Sequence, residues 1–353
     1  MRRFWIAILT VTLISHLPFA AAVHHVLARA GVPYAWLFAA FFAALGVALL
    51  RGRLRRLRRD APLPRWKAWL VEEPWYAHWC ATIAAWPPLV IAVIGVLIHA
   101  AVTGAAGLSS RLGAAALGAY AGALLITTYG VAVRRRWLRV RTIDVPVIGL
   151  GAAFDGYRIA HLSDLHIGGL WPRSSAETWI RRVASLDVDL VALTGDYVTH
   201  GNAFHADVAD VLSAMRGRDG VIAVMGNHDY FGDGEQLVDR IRARGVTMLR
   251  NDHLTIARGA DAITIAGIDD TWSRRADVRR ALMGAKEGQP IIALAHDPQL
   301  FPSSRAKALS SCSADTRTGV SSQSHSCRRA STSRVCRIAS TPAATAQATP
   351  SFM

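Results

Sequence analysis

The stretch Ile159–Gly169 reads Ile-Ala-His-Leu-Ser-Asp-Leu-His-Ile-Gly-Gly, a short apolar run that enters a loop carrying Asp164 and His166. It has the character of a buried strand running straight into a turn. In an extended segment, residues i and i+2 point to the same side. A carboxylate and an imidazole so placed can share one metal ion, as oxygen and nitrogen ligands suited to Zn, Mn or Fe. Alone, Asp-x-His also describes an ordinary hydrogen-bonded loop pair.

The same grammar recurs downstream. Leu190-Val191-Ala192-Leu193 stops at Thr194-Gly195-Asp196. Val221–Met225 stops at Gly226-Asn227-His228-Asp229, and Ile291–Ala295 stops at His296-Asp297. Each of these β-like runs ends in Asp, Asn or His. Strand ends that converge on one edge of a sheet are where α/β folds keep their sites.

Asp164-x-His166, Gly195-Asp196, Gly226-Asn227-His228-Asp229 and the later His296 together resemble the calcineurin-like metallophosphoesterases. Leu162–His166 and Gly226–Tyr230 are similar to the membrane-associated bacterial branch of that family. The resemblance runs from Thr142 to Pro302. It implies a layered α/β domain that hydrolyses phosphate esters, monoesters or diesters, with two divalent ions, Mn, Fe or Zn. Two such ions roughly 3.5–4 Å apart can clamp a phosphate and lower the pKa of a water between them. The resemblance makes Asp196 the bridging ligand. Asp164 and His166 would sit on one ion, and Asn227 and His296 on the other. His228 would stabilise the transition state or protonate the leaving oxygen. Asp229 would orient the His228 imidazole by accepting its other N–H. Asp269 and Asp270 close a supporting strand and are left out of the site.

Ahead of this region the chain is of another kind. Hydrophobic residues make up 52% of the 353-residue chain, and the mean hydropathy is +0.25, which points to membrane segments. About 20 apolar residues cross a bilayer. Phe4–Val23, Val32–Leu50, Pro87–Val102 and Leu112–Val133 are the candidates. A signal peptide ending near Ala20-Ala21-Ala22 is the rival for the first, but its apolar core is long for one. Arginines cluster after the second span (Arg51, Arg53, Arg55, Arg56, Arg58, Arg59) and after the fourth (Arg134, Arg135, Arg136, Arg139, Arg141). The positive-inside rule then puts the N-terminus, the 51–86 loop and everything after Arg134 in the cytoplasm, in a multi-pass inner-membrane protein. Much of the formal charge of +15 becomes a topology signal and a contact with membrane lipids, which argues against a nucleic-acid partner. Trp66, Trp69, Trp75, Tyr76, Trp79 and Trp86 in the connecting loop read as an interfacial belt. His16, His24, His25 and His99, in or beside the spans, show no partner pattern.

Three parts follow: a membrane domain over 1–141, a phosphoesterase domain over 142–302, and a tail over 303–353. Within the second, helices are expected over 174–185, 206–215 and 235–244, with an edge strand holding Pro146. The tail is rich in Ser, Arg, Thr and Ala and has the composition of disorder. Cys312, Cys327 and Cys336 fit no zinc spacing there.

The family pattern also requires a last Gly-His-x-His-Gly-Gly-Gln element, and the chain as written has none. A frameshift is the expected cause. Ser303–Val320 can be back-translated with GC-rich codons that, read two bases later, can spell V-A-R-E-G-A-V-L-V-L-G-R-H-A-H-G-G, and Ser321 can complete a Q. The expectation is a domain lacking two histidines and its last strands, with an unpaired sheet edge, weak metal binding and poor activity. The alternative is a membrane protein whose domain only binds metal or a partner. Lipid-linked or nucleotide-linked phosphoesters are the substrate classes that a site beside a bilayer suggests.

Overall fold

The computed structural model describes residues 2–57, 63–300, 310–311 and 333–340. The chain divides into two compact units, Met1–Trp137 and Leu138–Met353.

The first unit is helical: α1 (Arg2–Ser15), α2 (Leu17–Arg29), α3 (Ala35–Leu57), α4 (Arg65–Lys67), α5 (Glu73–Ala84), α6 (Trp86–Thr103) and α7 (Leu108–Ala132). Among the described residues, four stretches are long and apolar enough to cross a membrane: Ile6–Arg29, Ala35–Arg53, Trp86–Thr103 and Leu108–Arg136. The first joins α1 to α2 across a break at His16, with Pro18 in the opening turn of α2, where its missing N–H does least harm.

Two expectations change here. The tryptophan-rich connection is a helix rather than a loop: α4 passes through a π-helical turn, Ala68–Glu72, into α5. Trp66 and Trp69 are exposed, as a lipid-facing belt requires, but Trp75 is buried under the Arg53 guanidinium, 4.0 Å from its ring. Arg53 Nε donates to Glu72 at 2.6 Å, and Arg136 donates to Glu73 at 2.5 Å. Two adjacent acids thus neutralise arginines that the charge count assigns to the membrane surface. His16 also has company. It is buried, its Nδ1 lies 2.7 Å from the Thr12 carbonyl, and its ring centroid is 5.2 Å from that of His78. His78 in turn pairs with the Tyr120 hydroxyl at 2.8 Å.

The second unit is built on two sheets. One has the order β1-β10-β2-β3-β4-β5: β1 (Val140–Val147), β2 (Arg158–Leu162), β3 (Leu190–Thr194), β4 (Val221–Val224), β5 (Thr247–Met248) and β10 (Ser333–Ser340). The other has the order β6-β7-β8-β9: β6 (Asp252–Arg258), β7 (Asp261–Gly267), β8 (Ile291–Leu294) and β9 (Ser310–Ser311). Strands β2 to β5 run parallel, and helices α8 (Arg173–Ala184), α9 (His205–Ser213) and α10 (Gly234–Arg242) connect them.

The unbroken apolar runs have a physical reason. Both faces of the central strands are covered, as in parallel sheets generally. Val191 and Leu193 pack with Trp179, Val208 and Leu212 of the helices. Leu190 and Ala192, from the alternate face, pack with Ile263, Ile265, Ile292 and Leu294 of the second sheet. Each fully buried leucine or isoleucine contributes roughly 1.5–3 kcal/mol. The expected layering is therefore modified: helices cover one face of the main sheet, and the second sheet covers the other.

Two short segments of the tail pair with the sheets. Ser333–Ser340 is a strand between β1 and β2, parallel to the first and antiparallel to the second, and Ser310–Ser311 pairs with β8. The sheet edges expected to stay open thus receive backbone partners, which satisfies otherwise unpaired N–H and C=O groups. The rest of 303–353, including nearly all of the segment of the shifted frame, lies outside the described residues.

Candidate metal centre

Strands β2, β3, β4 and β8 end at Leu162, Thr194, Val224 and Leu294, and the loops that follow carry the predicted site residues. Parallel order puts the first three ends on one edge. The loop after β2 is zipped to the loop after β3: Asp164 N–H donates to Gly195 O, His166 N–H to Asp196 O, and Ile167 N–H to Tyr197 O, at 3.1, 2.9 and 2.7 Å.

Asp164 and His166 do not share a side through extended backbone, as their spacing suggested. Their φ angles are +57° and +46°, and that of Asp196 is +56°. These are left-handed conformations, costing of order 1–3 kcal/mol each in a residue with a Cβ. Three of them adjoin at these strand ends, held by the inter-loop hydrogen bonds. Gly195 (φ +86°) and Gly226 let two loops touch. A Cβ on Gly226 would stand 2.3 Å from Asp196 Oδ1.

Asp196 is the hub. Its Oδ2 lies 3.6 Å from His166 Nε2 and 3.4 Å from His296 Nε2, and its Oδ1 accepts the His228 N–H at 2.9 Å. Asp164 Oδ1 lies 3.6 Å from His166 Nε2. Among the described residues, two triples have candidate ligand atoms all within 4.8 Å of one another: His166, Asp196 and His228, and Asp164, Asp196 and His296. Both contain Asp196. Carboxylate oxygens and imidazole nitrogens are the donors that Zn, Mn and Fe accept, so the residues present fit a divalent ion in each triple. His228 also falls inside a triple, and Asp164, beside His166, groups with His296 as well. Asn227 occupies the turn between Gly226 and His228.

The electrostatics follow from this crowding. Burial disfavours a charged Asp164, but contacts with His166 and Ser163 and the nearby His296 outweigh it and hold the carboxyl at about 2. Burial likewise works against a proton on His296, yet the bond to Asp196 and the charges of Asp196 and Asp164 raise it to about 9. His166 is raised and Asp196 lowered for the same reasons.

Asp229 has a different task from the one its position suggested. It is fully buried, and its two oxygens accept four backbone N–H groups: Asp196 (2.9 Å), Tyr197 (2.8 Å), Val198 (3.2 Å) and Gly226 (2.9 Å). Burial and the Asp196 charge push it up to about 7, against the pull of those donors. It therefore staples the β3 and β4 loops together. The His228 imidazole is oriented by the Thr199 carbonyl, 2.7 Å from Nδ1. Thr199 also donates its hydroxyl to His166 O at 2.8 Å. No local motif marked Thr199, because its contribution is a backbone carbonyl that any residue could supply.

Asp269 and Asp270, set aside from the sequence, serve structure. Asp269 accepts from Tyr230 Oη at 2.5 Å and Arg250 Nε at 3.0 Å, and Asp270 from Ser273 N–H at 2.6 Å.

Comparison with known proteins agrees with this architecture. The Calcineurin-like phosphoesterase family model matches residues 157–319. A "Transmembrane protein with metallophosphoesterase domain" from Danio rerio is 32% identical over 191 residues, covering 50% of this chain and 44% of that protein. Its namesake from Bos taurus is 30% identical over 173 residues, covering 45% and 39%. The "Uncharacterized metallophosphoesterase YkoQ" of Bacillus subtilis (strain 168) is 31% identical over 169 residues, covering 46% and 62%. The matched region thus spans less than half the length of the two vertebrate relatives. The strand ends, the Asp and His side chains that converge there and these matches agree: residues 157–319 carry a calcineurin-like metallophosphoesterase domain.

Proposed function

We propose that this chain is a membrane-held, metal-dependent phosphoesterase. One observation carries the reading: Asp196 lies within 3.6 Å of imidazoles contributed by two other strand ends, His166 and His296, and is common to both ligand triples. In this reading Asp196 bridges two divalent ions, with Asp164, His166, Asn227 and His296 as further ligands. Such ions supply Lewis acidity toward phosphoryl oxygens and a lowered pKa for water. His228, held through Nδ1 by Thr199, presents its other nitrogen to the phosphoryl group or the leaving oxygen. Asp229 acts through the loops rather than through His228.

The membrane reading rests on the four apolar helices and the arginine distribution. We place the domain on the cytoplasmic side of the inner membrane, where it would meet lipid-linked or nucleotide-linked phosphoesters. The shifted frame removes the His-x-His ligands, so this chain is expected to turn over slowly. DNA sequencing across codons 298–325 tests the frame directly.

A second reading, metal or partner binding without turnover, is favoured by that same missing element. Manganese titration of the full chain in detergent, followed by hydrolysis of bis(p-nitrophenyl) phosphate, separates the two. Binding with turnover, both abolished by Asp196→Asn, supports the enzyme. Binding without turnover supports the second reading, and absence of binding overturns both.

A further inference from the structure

A line of rings leads outward from the metal centre. The His166 and His228 centroids are 4.7 Å apart, and His228 and Phe231 are 4.6 Å apart. Phe231 lies 6.2 Å from Trp272 and 5.9 Å from His200, at interplanar angles of 64° and 53°. Phe231 is 38% exposed and Trp272 is 75% exposed. Trp272 sits in the loop after Asp270, and Phe231 directly follows the Asn227–Tyr230 turn, so two separate strand ends supply the rim. Neither ring is needed by the core, since neither belongs to a buried apolar cluster.

We infer that His200, Phe231 and Trp272 form the subsite for the organic group esterified to the phosphate, and that this group is flat and unsaturated, an aryl ring or a nucleobase. The inference rests on the phosphoesterase reading. A phosphate held beside Asp196 and His228 has Phe231 as its next neighbour on the His228 side, so the ester group on that side must cross the rim. The openness of the rim selects the chemistry. An acyl chain gains by enclosure, in proportion to apolar area removed from water. A face with three quarters of Trp272 still exposed encloses little. Stacking needs only one open π-face, and bases stack on such platforms without a walled pocket.

The test uses the full chain in detergent, loaded with Mn²⁺, and reads binding rather than turnover. Four probes are titrated: inorganic phosphate, glycerol 3-phosphate, phenyl phosphate and adenosine 5′-monophosphate. The expected result is that the last two bind at least about fivefold tighter than glycerol 3-phosphate, the low end of what base stacking supplies. Trp272→Ala should bring that ratio to about one, and Trp272→Phe should keep most of it. Trp272 is exposed, so loss of the fold does not confound the variant. A ratio near one in the unmodified chain, or a ratio that survives Trp272→Ala, overturns the inference while phosphate binding leaves the parent reading standing. Failure of inorganic phosphate itself to bind overturns both.

Discussion

Asp229 offers two oxygens to four backbone N–H groups from two loops, and an amide cannot do the same. Asp229→Asn keeps the size but turns one acceptor into a donor that faces other donors. An unsatisfied buried group costs about 1–3 kcal/mol, so the variant should melt earlier by thermal denaturation and lose manganese affinity as Asp196 drifts. An unchanged melting temperature would count against the staple. Gly226→Ala tests the same junction from the other side. The new Cβ would meet Asp196 Oδ1 at 2.3 Å and its backbone N at 2.5 Å. Disturbing a ligand's support typically costs 10–100-fold in metal affinity. Calorimetric titration should therefore show manganese binding weakened at least about tenfold. At this scale the sequence was informative about residue type and only partly about partner. The Asp, His and Asn residues sit at strand ends as expected. That Asp164, His166 and Asp196 adopt left-handed backbone, and that Thr199 rather than Asp229 holds His228, depends on how separate loops zip together.

Among the elements, the two sheets are joined at the end away from the ligands as well as through their shared core. Arg258, the last residue of β6, donates to Asp189 at 3.0 Å and Asp219 at 2.9 Å, and its guanidinium lies 4.8 Å from the Tyr157 ring. Tyr157 Oη donates to Asp219 at 2.7 Å. Burial raises the Asp189 carboxyl, but the Arg158 N–H and the Arg258 guanidinium outweigh it, so the net shift is downward. A carboxylate lowered in the folded state stabilises above its unfolded pKa, about 3.9. That contribution is lost as pH falls through the lower folded value. Arg258→Met should therefore destabilise by about 1–2 kcal/mol at neutral pH, with the difference from the parent shrinking below about pH 4. Melting curves of both chains across pH 3–7 check this, and a gap that persists at low pH would assign the effect to packing alone. The element pattern was largely visible beforehand, because period and turn residues are local. What local pattern did not reveal was the second sheet lying over the central strands, since an apolar run buried on both faces reads the same whatever covers it.

For the whole molecule, the decisive manipulation is restoring the frame after codon 302. If the shifted segment supplies a ligand to each ion, the restored chain should bind manganese at least about tenfold tighter and hydrolyse bis(p-nitrophenyl) phosphate correspondingly faster. Equal binding and turnover before and after restoration would remove the frameshift account. The amino-acid order alone determined the division into an apolar helical part and an α/β part, the strand ends that carry the Asp, Asn and His residues, and the four described helical stretches apolar enough to cross a membrane, because hydropathy and period are properties of neighbours along the chain. Tertiary structure alone decided that His228 joins the triple of His166 and Asp196, and that Ser333–Ser340 pairs with both β1 and β2. Hydrogen bonds and charges act through space over a few ångströms, so residues 100 positions apart become partners only once the strands are laid side by side.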